Sequence, residues 1–413
     1  MLGGVIEGKR GKKLMIVGAG HDQVIMIDKA REMGLETIAI DMNSEAVGKD
    51  HCDYFYPIST SDKESALEVA KRHKIDGVAT SGTNDAICTV AYIKEELNLA
   101  TICVPYDVAV RAARKDLWRE TFGKKSILIA LGFCSDDPAA LHKHLQQMDF
   151  PVLVKPSDSS GARGITVVEN PEQFGQAFKF AQKYTNNQRI IVEEYIQGTV
   201  IGIESYTING VTYPIAIADK VLSDLPHRFA LGVTLPTMLP EEIRSRIIDV
   251  NRKAIEALGI HTGPTHIDMV VVNGEPKVID VGPRLAGGPL IFELIPRATG
   301  VDMIDATIRQ ALGENIRINI KQHNIYCASL HFSAPKSGIL QSIRYDEESL
   351  DRYNITMLRF WKKGGEYVYD AQSGINRFGY IDRLGFVTAW AESYQEVRKK
   401  IDGFMRTLVL EIT

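Results

Sequence analysis

Between residues 13 and 97, short apolar β-prone runs alternate with segments of helical length. Residues 13–17 predict a strand, followed by the turn Gly18-Ala19-Gly20. Residues 22–33 predict a helix ended by Gly34 as its C′ residue, and 37–40 the next strand. Residues 61–73, 77–80 and 84–97 continue as helix, strand and helix. This alternation argues for an α/β unit: a parallel sheet covered on both faces.

The pattern changes near Tyr106. Residues 108–123 read as one helix, 151–155 as a strand, 171–184 as a helix and 189–195 as a strand. A loop rich in Ser and Gly follows the strand at 151–155. Residues 203–207 and 211–218 flank Asn209-Gly210, and 269–272 and 276–280 flank Asn273-Gly274. Asn-Gly between β-prone runs predicts a two-residue hairpin, because both central positions of that turn need positive φ. Residues 240–258 and 302–312 read as helices, the second with Gly313 after its end. Beyond 326, short strands are expected around 327–333, 366–369 and 379–382. A last helix opens at Ser393, with Glu396 three residues on as in a capping box. No internal repeat or low-complexity segment interrupts the chain.

Composition excludes several classes of function. The 413 residues are 45% hydrophobic and carry a net charge of -4, which argues against disorder and against a polyanion binder. No apolar run approaches the roughly 18 residues of a membrane span. The five cysteines are widely spaced and form no C-x-x-C pair, so free thiols are expected rather than disulfides or a zinc site. Residues 1–12 are Gly- and Lys-rich and lack the apolar core of a secretory signal. They read as a mobile leader.

Two motifs near the start mislead. Gly18-Ala19-Gly20 with Asp41 some twenty residues on resembles a dinucleotide fingerprint, but Gln23 stands where its third glycine is needed. The turn is read as a sharp strand-to-helix corner that touches a substrate. Gly3, Gly8, Lys9 and Arg10 mimic a phosphate loop, without a preceding strand or the Ser/Thr that holds a metal.

Residues 115–288 carry the chemistry. Lys155-Pro156 closes a strand and opens the loop Ser157-Asp158-Ser159-Ser160-Gly161-Ala162-Arg163-Gly164. Small residues let backbone amides approach a phosphate, and the lysine supplies charge. Ile191-Val192-Glu193-Glu194-Tyr195-Ile196 is a β-run ending in two acids. Asp268 and Asp280 lie in the two strands of one hairpin, and Arg284 follows four residues later. Two carboxylates on paired strands can share Mg2+, and a nearby arginine can hold a transferring phosphoryl group.

In this order and spacing the segment resembles the ATP-grasp superfamily, together with Arg114-Lys115-Asp116, His266-Ile267-Asp268 and the run from Val278 to Gly288. The resemblance implies an N-terminal α/β domain over 13–105 and an ATP-grasp α+β domain over 106–325 with a lid at about 125–195. Residues 326–413, with Gly338-Ile339, Gly364-Gly365 and Arg377-Phe378-Gly379-Tyr380, resemble the C-terminal α+β module of an L-amino-acid ligase branch. By resemblance, Lys115 and Lys155 hold the ATP phosphates and Ser160, Gly161 and Gly164 close over them. Glu193, Glu194, Tyr195 and Ile196 form the adenine hinge, and Glu204 meets the ribose. Asp268 and Asp280 bind Mg2+, with Mn2+ as a substitute, although both positions commonly hold glutamate. A metal-binding Asn is replaced by Gly282. Arg284, with Lys155, serves catalysis. His266, Arg284, Gly287 and Gly288 face the substrate, His266 either orienting a carboxylate or lying on the solvent face of its strand.

The implied activity is an ADP-forming carboxylate–amine ligase that activates a carboxylate, most naturally an amino acid, as an acyl phosphate. Rival readings are a carboxylase or carbamoyl-phosphate-type enzyme, a nucleotide-binding protein without ligase activity, and an NAD-dependent oxidoreductase. The implied partners are small molecules, with no nucleic acid or membrane, in a cytoplasmic homodimer. Lys220, His227, His142 and His144 read as surface residues, and Trp118, Trp361 and Trp390 as packing residues.

Overall fold

The computed structural model describes residues 11–413, so the phosphate-loop mimic at residues 3–10 lies outside the described residues. Among the described residues, the strands form four sheets. The first is parallel, in the order Tyr54–Tyr56, Glu36–Ile40, Lys13–Val17, Gly77–Ala79. Leu14, Met15, Ile16 and Val17 are each fully buried. A strand covered on both faces needs such a continuous apolar run, not an alternating one.

The segment expected to form a lid carries an antiparallel sheet in the order Gly132–Ser135, Ile190–Glu194, Val152–Pro156, Thr166–Val168. Leu141 and Leu145 of one helix, and Phe174 and Phe178 of another, pack on Val152, Val154 and Val192. The lid also leans on the C-terminal segment. Phe180 and Ala162 join Phe229, Ile375 and Ile381 in one apolar cluster, and Val167 N–H donates to the Pro226 carbonyl at 2.9 Å.

The central sheet has eight antiparallel strands, built on the two Asn-Gly hairpins. Asn209 and Gly210 sit at φ 50° and 81°, and Asn273 and Gly274 at 51° and 77°, as such turns require. Three strands of the C-terminal segment, Tyr326–Ser333, Arg383–Ala391 and Ile355–Phe360, extend this same sheet beyond Ala230–Leu235. Segments distant in sequence thus share one continuous sheet.

Two expectations fail locally. The single helix at 108–123 is two helices, Tyr106–Ala113 and Lys115–Lys124, broken at Arg114 in extended conformation (φ −100°, ψ 115°). Residues 379–382 are not a strand. Gly379, at φ 77°, caps the helix Ala371–Phe378, and the strand begins at Arg383.

Candidate functional site

The break at Arg114 positions the first site lysine. It makes Lys115 the first residue of the new helix, and the Lys115 N–H donates to the Ser157 carbonyl at 2.7 Å. The Lys115 Nζ then donates to the Ser159 carbonyl at 2.7 Å and ion-pairs with Asp280 at 3.1 Å. One side chain therefore ties the Gly-rich loop to the central sheet.

Lys155 lies on the lid strand Val152–Pro156, diagonally across from Glu193, and the two form a buried ion pair. Arg119 pairs with the same carboxylate and donates to the Ala130 carbonyl at 2.7 Å. Burial pushes the Lys155 pKa below its ordinary value, opposed by the Glu193 carboxylate. Arg119 was not visible as a site residue, because its role depends on where its helix docks. Glu194 accepts from the Leu131 N–H at 3.0 Å and pairs with Lys277 at 3.0 Å. Tyr195 N–H donates to the Pro151 carbonyl at 3.2 Å. Residues 194–196 are half-buried at the base of the lid.

Asp268 and Asp280 are direct cross-strand partners. Cross-strand partners project to the same face of a sheet. Asp268 pairs with Lys220 at 2.5 Å and with His266 Nε2 at 2.9 Å, while His266 Nδ1 pairs with Glu204. This makes a buried row Glu204–His266–Asp268–Lys220. Burial alone would raise the Asp268 pKa, but Lys220 and His266 hold it well below the usual carboxylate range. Burial would lower the His266 pKa, but Glu204 and Asp268 push it up to about 9.

Two readings are corrected here. His266 is buried, not on a solvent face. Lys220 is an inward-facing partner of Asp268, not a surface residue. Glu204 is buried and held by His266, so its carboxylate is engaged within the sheet. The remaining histidines pack on neighbouring groups: His144 stacks on Phe133 at 4.8 Å, His142 lies 6.0 Å from Phe174, and His227 Nδ1 bonds to the Ile165 carbonyl oxygen at 2.9 Å.

Arg284 is buried, and its Nε donates to Asn84 Oδ1 at 2.9 Å. Asn84 in turn donates to the Val281 carbonyl at 3.1 Å. Gly282 lies between them. A Cβ there would stand 2.5 Å from Asn84 Oδ1 and 2.9 Å from Arg284 Cζ. The glycine is thus required by the Arg284–Asn84 contact, and no side chain fits in its place. Gly288 N–H donates to Asp22 Oδ1 at 2.7 Å, and a Cβ on Gly287 would lie 2.4 Å from Asp22 Oδ2. Asn84 and Asp22 escaped the sequence reading, because an Asn and an Asp near helix starts usually serve as local caps. The first-domain turn is filled by Gln23: its Oε1 accepts from the Gly20 N–H at 3.0 Å, and its amide donates to the Ser81 carbonyl.

The donor set is suited to a nucleotide-borne cation. Among the described residues, no group of three or more His, Cys, Asp or Glu could hold a metal ion. Two adjacent carboxylates do suffice for Mg2+ carried on phosphate, because that ion keeps waters and phosphate oxygens as its other ligands.

Residues 148–291 match the ATP-grasp domain family. The chain is 23% identical over 328 residues to the carbamoyl phosphate synthase large chain of Clostridium botulinum, covering 75% of this chain and 30% of that one. It spans half or less of the curated relatives it matches. The crystal structure of an L-amino acid ligase from Bacillus licheniformis superposes with TM-score 0.82 at 21% identity, covering 98% of this chain and 100% of that one. The biotin carboxylase domain of Hydrogenobacter thermophilus 2-oxoglutarate carboxylase, solved with MgADP and bicarbonate, superposes with TM-score 0.77 at 18% identity, covering 97% and 91%. The fold is α/β, with a parallel first sheet and antiparallel sheets after it. The chain carries an ATP-grasp domain and has the ATP-grasp fold. Among the described residues no helix is long and apolar enough to cross a membrane.

Proposed function

We propose that this protein is an ATP-dependent carboxylate–amine ligase that forms an acyl phosphate, with an amino acid as the activated acid. The observation that carries this reading is the convergence on Lys115, which joins the Gly-rich loop at Ser159 to Asp280. Lys115 and Lys155 would exchange their carboxylate partners for ATP phosphates, and the loop amides at Ser160, Gly161 and Gly164 would cover them. Residues 193–196 would receive adenine along the hinge, and Glu204 the ribose. Asp268 and Asp280 would hold Mg2+, which supplies charge neutralisation for the transferring phosphoryl group. The substrate carboxylate oxygen attacks the γ-phosphorus, and the bond to the ADP oxygen breaks. Arg284, held by Asn84, would steady the acyl phosphate, with Gly287 and Gly288 leaving room for the substrate. The amine nitrogen then attacks the acyl carbon, phosphate leaves with the C–O electron pair, and the amine loses a proton. Lid closure would exclude water from the labile acyl phosphate. The reading places the protein among small-molecule enzymes of the cytoplasm, in a homodimer.

The test is phosphate release from Mg-ATP across single and paired amino acids, with Arg284→Ala and Asp280→Ala alongside. Release that needs a particular pair and disappears in both variants supports the ligase. ATP binding without release for any acid, bicarbonate included, would sink it in favour of a nucleotide-binding protein. Release with bicarbonate alone would favour a carboxylase.

A further inference from the structure

Lys220 and Asp268 meet although a whole strand separates them. Lys220 lies on Val211–Leu222 and Asp268 on Gly263–Val272, and Thr199–Ile208 runs between the two. Neighbouring strands stand about 4.8 Å apart, so a side chain must cross about 10 Å to join the outer two of three. Gly202 makes the crossing feasible. It is the register partner of Asp268 on one side and of Ala218 on the other. Lys220 follows Ala218 by two residues and so projects to the same face. A Cβ on Gly202 would stand 3.3 Å from Lys220 Cε, 3.3 Å from Asp268 Oδ1 and 3.1 Å from His266 Cε1. Over this bare stretch of backbone the ammonium reaches Asp268 Oδ1 at 2.5 Å.

The arrangement is repeated next to it. Each carboxylate of the proposed metal site carries a lysine: Lys220 on Asp268, and Lys115 on Asp280 at 3.1 Å. The two lysines come from different elements, a strand of the central sheet and the helix Lys115–Lys124. Carboxylates directly opposite one another on paired strands repel, and cations beside them relieve the repulsion. A divalent ion could take over that task. It would leave Lys220 with a side chain only 12% exposed and, among the described residues, no other carboxylate within ion-pair distance. A buried ammonium without an anion is costly. The incoming cation must therefore bring an anion with it. A metal–nucleotide complex meets that condition through its phosphate oxygens, and a free divalent ion does not.

We infer that Lys220 is a placeholder cation and a third phosphate-binding lysine of the nucleotide site: it holds Asp268 until a metal-bearing nucleotide enters, yields the carboxylate to the metal, and pairs with the phosphates instead. The site thereby disfavours a free divalent cation and accepts one bound to nucleotide. His266 keeps Asp268 in place during the exchange through its own contact at 2.9 Å. This deepens the ligase reading and rests on it for the nucleotide, not for the carboxylate or the amine.

Direct binding to the full chain tests this without turnover. The probes are Mn2+ alone, followed by electron paramagnetic resonance, and ATP alone in EDTA. Lys220→Met should bind free Mn2+ about tenfold or more tightly than the parent, because Asp268 is released from its internal cation. It should bind metal-free ATP about tenfold more weakly, because one charge-assisted contact to phosphate is lost. Lys220→Gln, neutral but polar, should behave alike and decides the matter should the methionine variant fail to fold. Lys220→Arg keeps the charge and should stay near the parent in both titrations. A merely structural ion pair would lower the unfolding temperature of the neutral variants and leave both affinities unmoved, and that result overturns the inference. Weaker Mn2+ binding by the neutral variants, or an arginine variant that shifts as they do, overturns it too. The two readings fail separately. A parent protein that does not bind ATP sinks the nucleotide site as a whole. ATP binding that is equal in parent and variants sinks the role of the lysine alone, and phosphate release bears only on the ligase.

Discussion

Asn84 of the first domain accepts a hydrogen bond from Arg284 of the central domain at 2.9 Å, across two hundred residues of sequence. The contact passes over Gly282, whose absent side chain makes the approach feasible. An arginine with long rotatable bonds loses much conformational entropy when ordered. Asn84 orders it before substrate arrives, so the cost is met during folding.

Gly282→Asn should therefore displace Arg284 rather than supply a metal ligand. The expected outcome is a fall in kcat of about tenfold or more, with ATP affinity little changed, because the clash falls on the arginine and not on the hinge. Steady-state kinetics beside nucleotide titration checks this. Restored or raised activity would mean that the position lacks a metal ligand after all.

The Lys115–Asp280 ion pair at 3.1 Å makes a second prediction. Asp280→Asn frees Lys115 for phosphate while removing a carboxylate of the proposed metal site. Metal-free ATP should bind the variant as well as or better than the parent, whereas the gain in affinity from added Mg2+ should shrink about tenfold. Nucleotide titration in EDTA and in Mg2+ separates the two effects. An unchanged Mg2+ gain would remove Asp280 from the metal site.

The buried row around His266 predicts a pH dependence of the metal-free protein. The folded pKa of about 9 lies above the ordinary 6.5, so the folded state binds the proton more tightly than the unfolded chain. The stabilisation is complete below pH 6.5 and is lost as pH rises through about 9. Between those values the unfolding free energy should fall by up to about 1.4 kcal/mol per pH unit from this group. His266→Gln should flatten that part of the profile in denaturant titrations. An unchanged slope would show that the histidine is neutral in the fold.

Much of the architecture was legible because it rests on local chemistry. Gly34 at φ 79° and the paired positive φ values of Asn209-Gly210 and Asn273-Gly274 are steric requirements that each residue announces by itself. The parallel sheet at residues 13–79 followed from short apolar runs alternating with helices. The break at Arg114 was not legible, since residues 108–123 form an uninterrupted helical pattern. The carbonyl of Ser157 and the carboxylate of Asp280 draw Lys115 away from it, and both come from distant chain. Lys220 read as a surface lysine because nothing in its own segment shows that Asp268 stands beside it.

The sequence by itself determined the order of the strands along the chain, the hairpin turns, and which residue types could serve phosphate and metal. Those properties depend on backbone sterics and hydrophobic periodicity within a dozen residues. Only the tertiary structure decided which charges neutralise one another and which glycines are spaces for another residue's side chain. Such pairings arise where sheets and helices far apart in sequence are packed together. A charge carries no local mark of the partner that burial will give it.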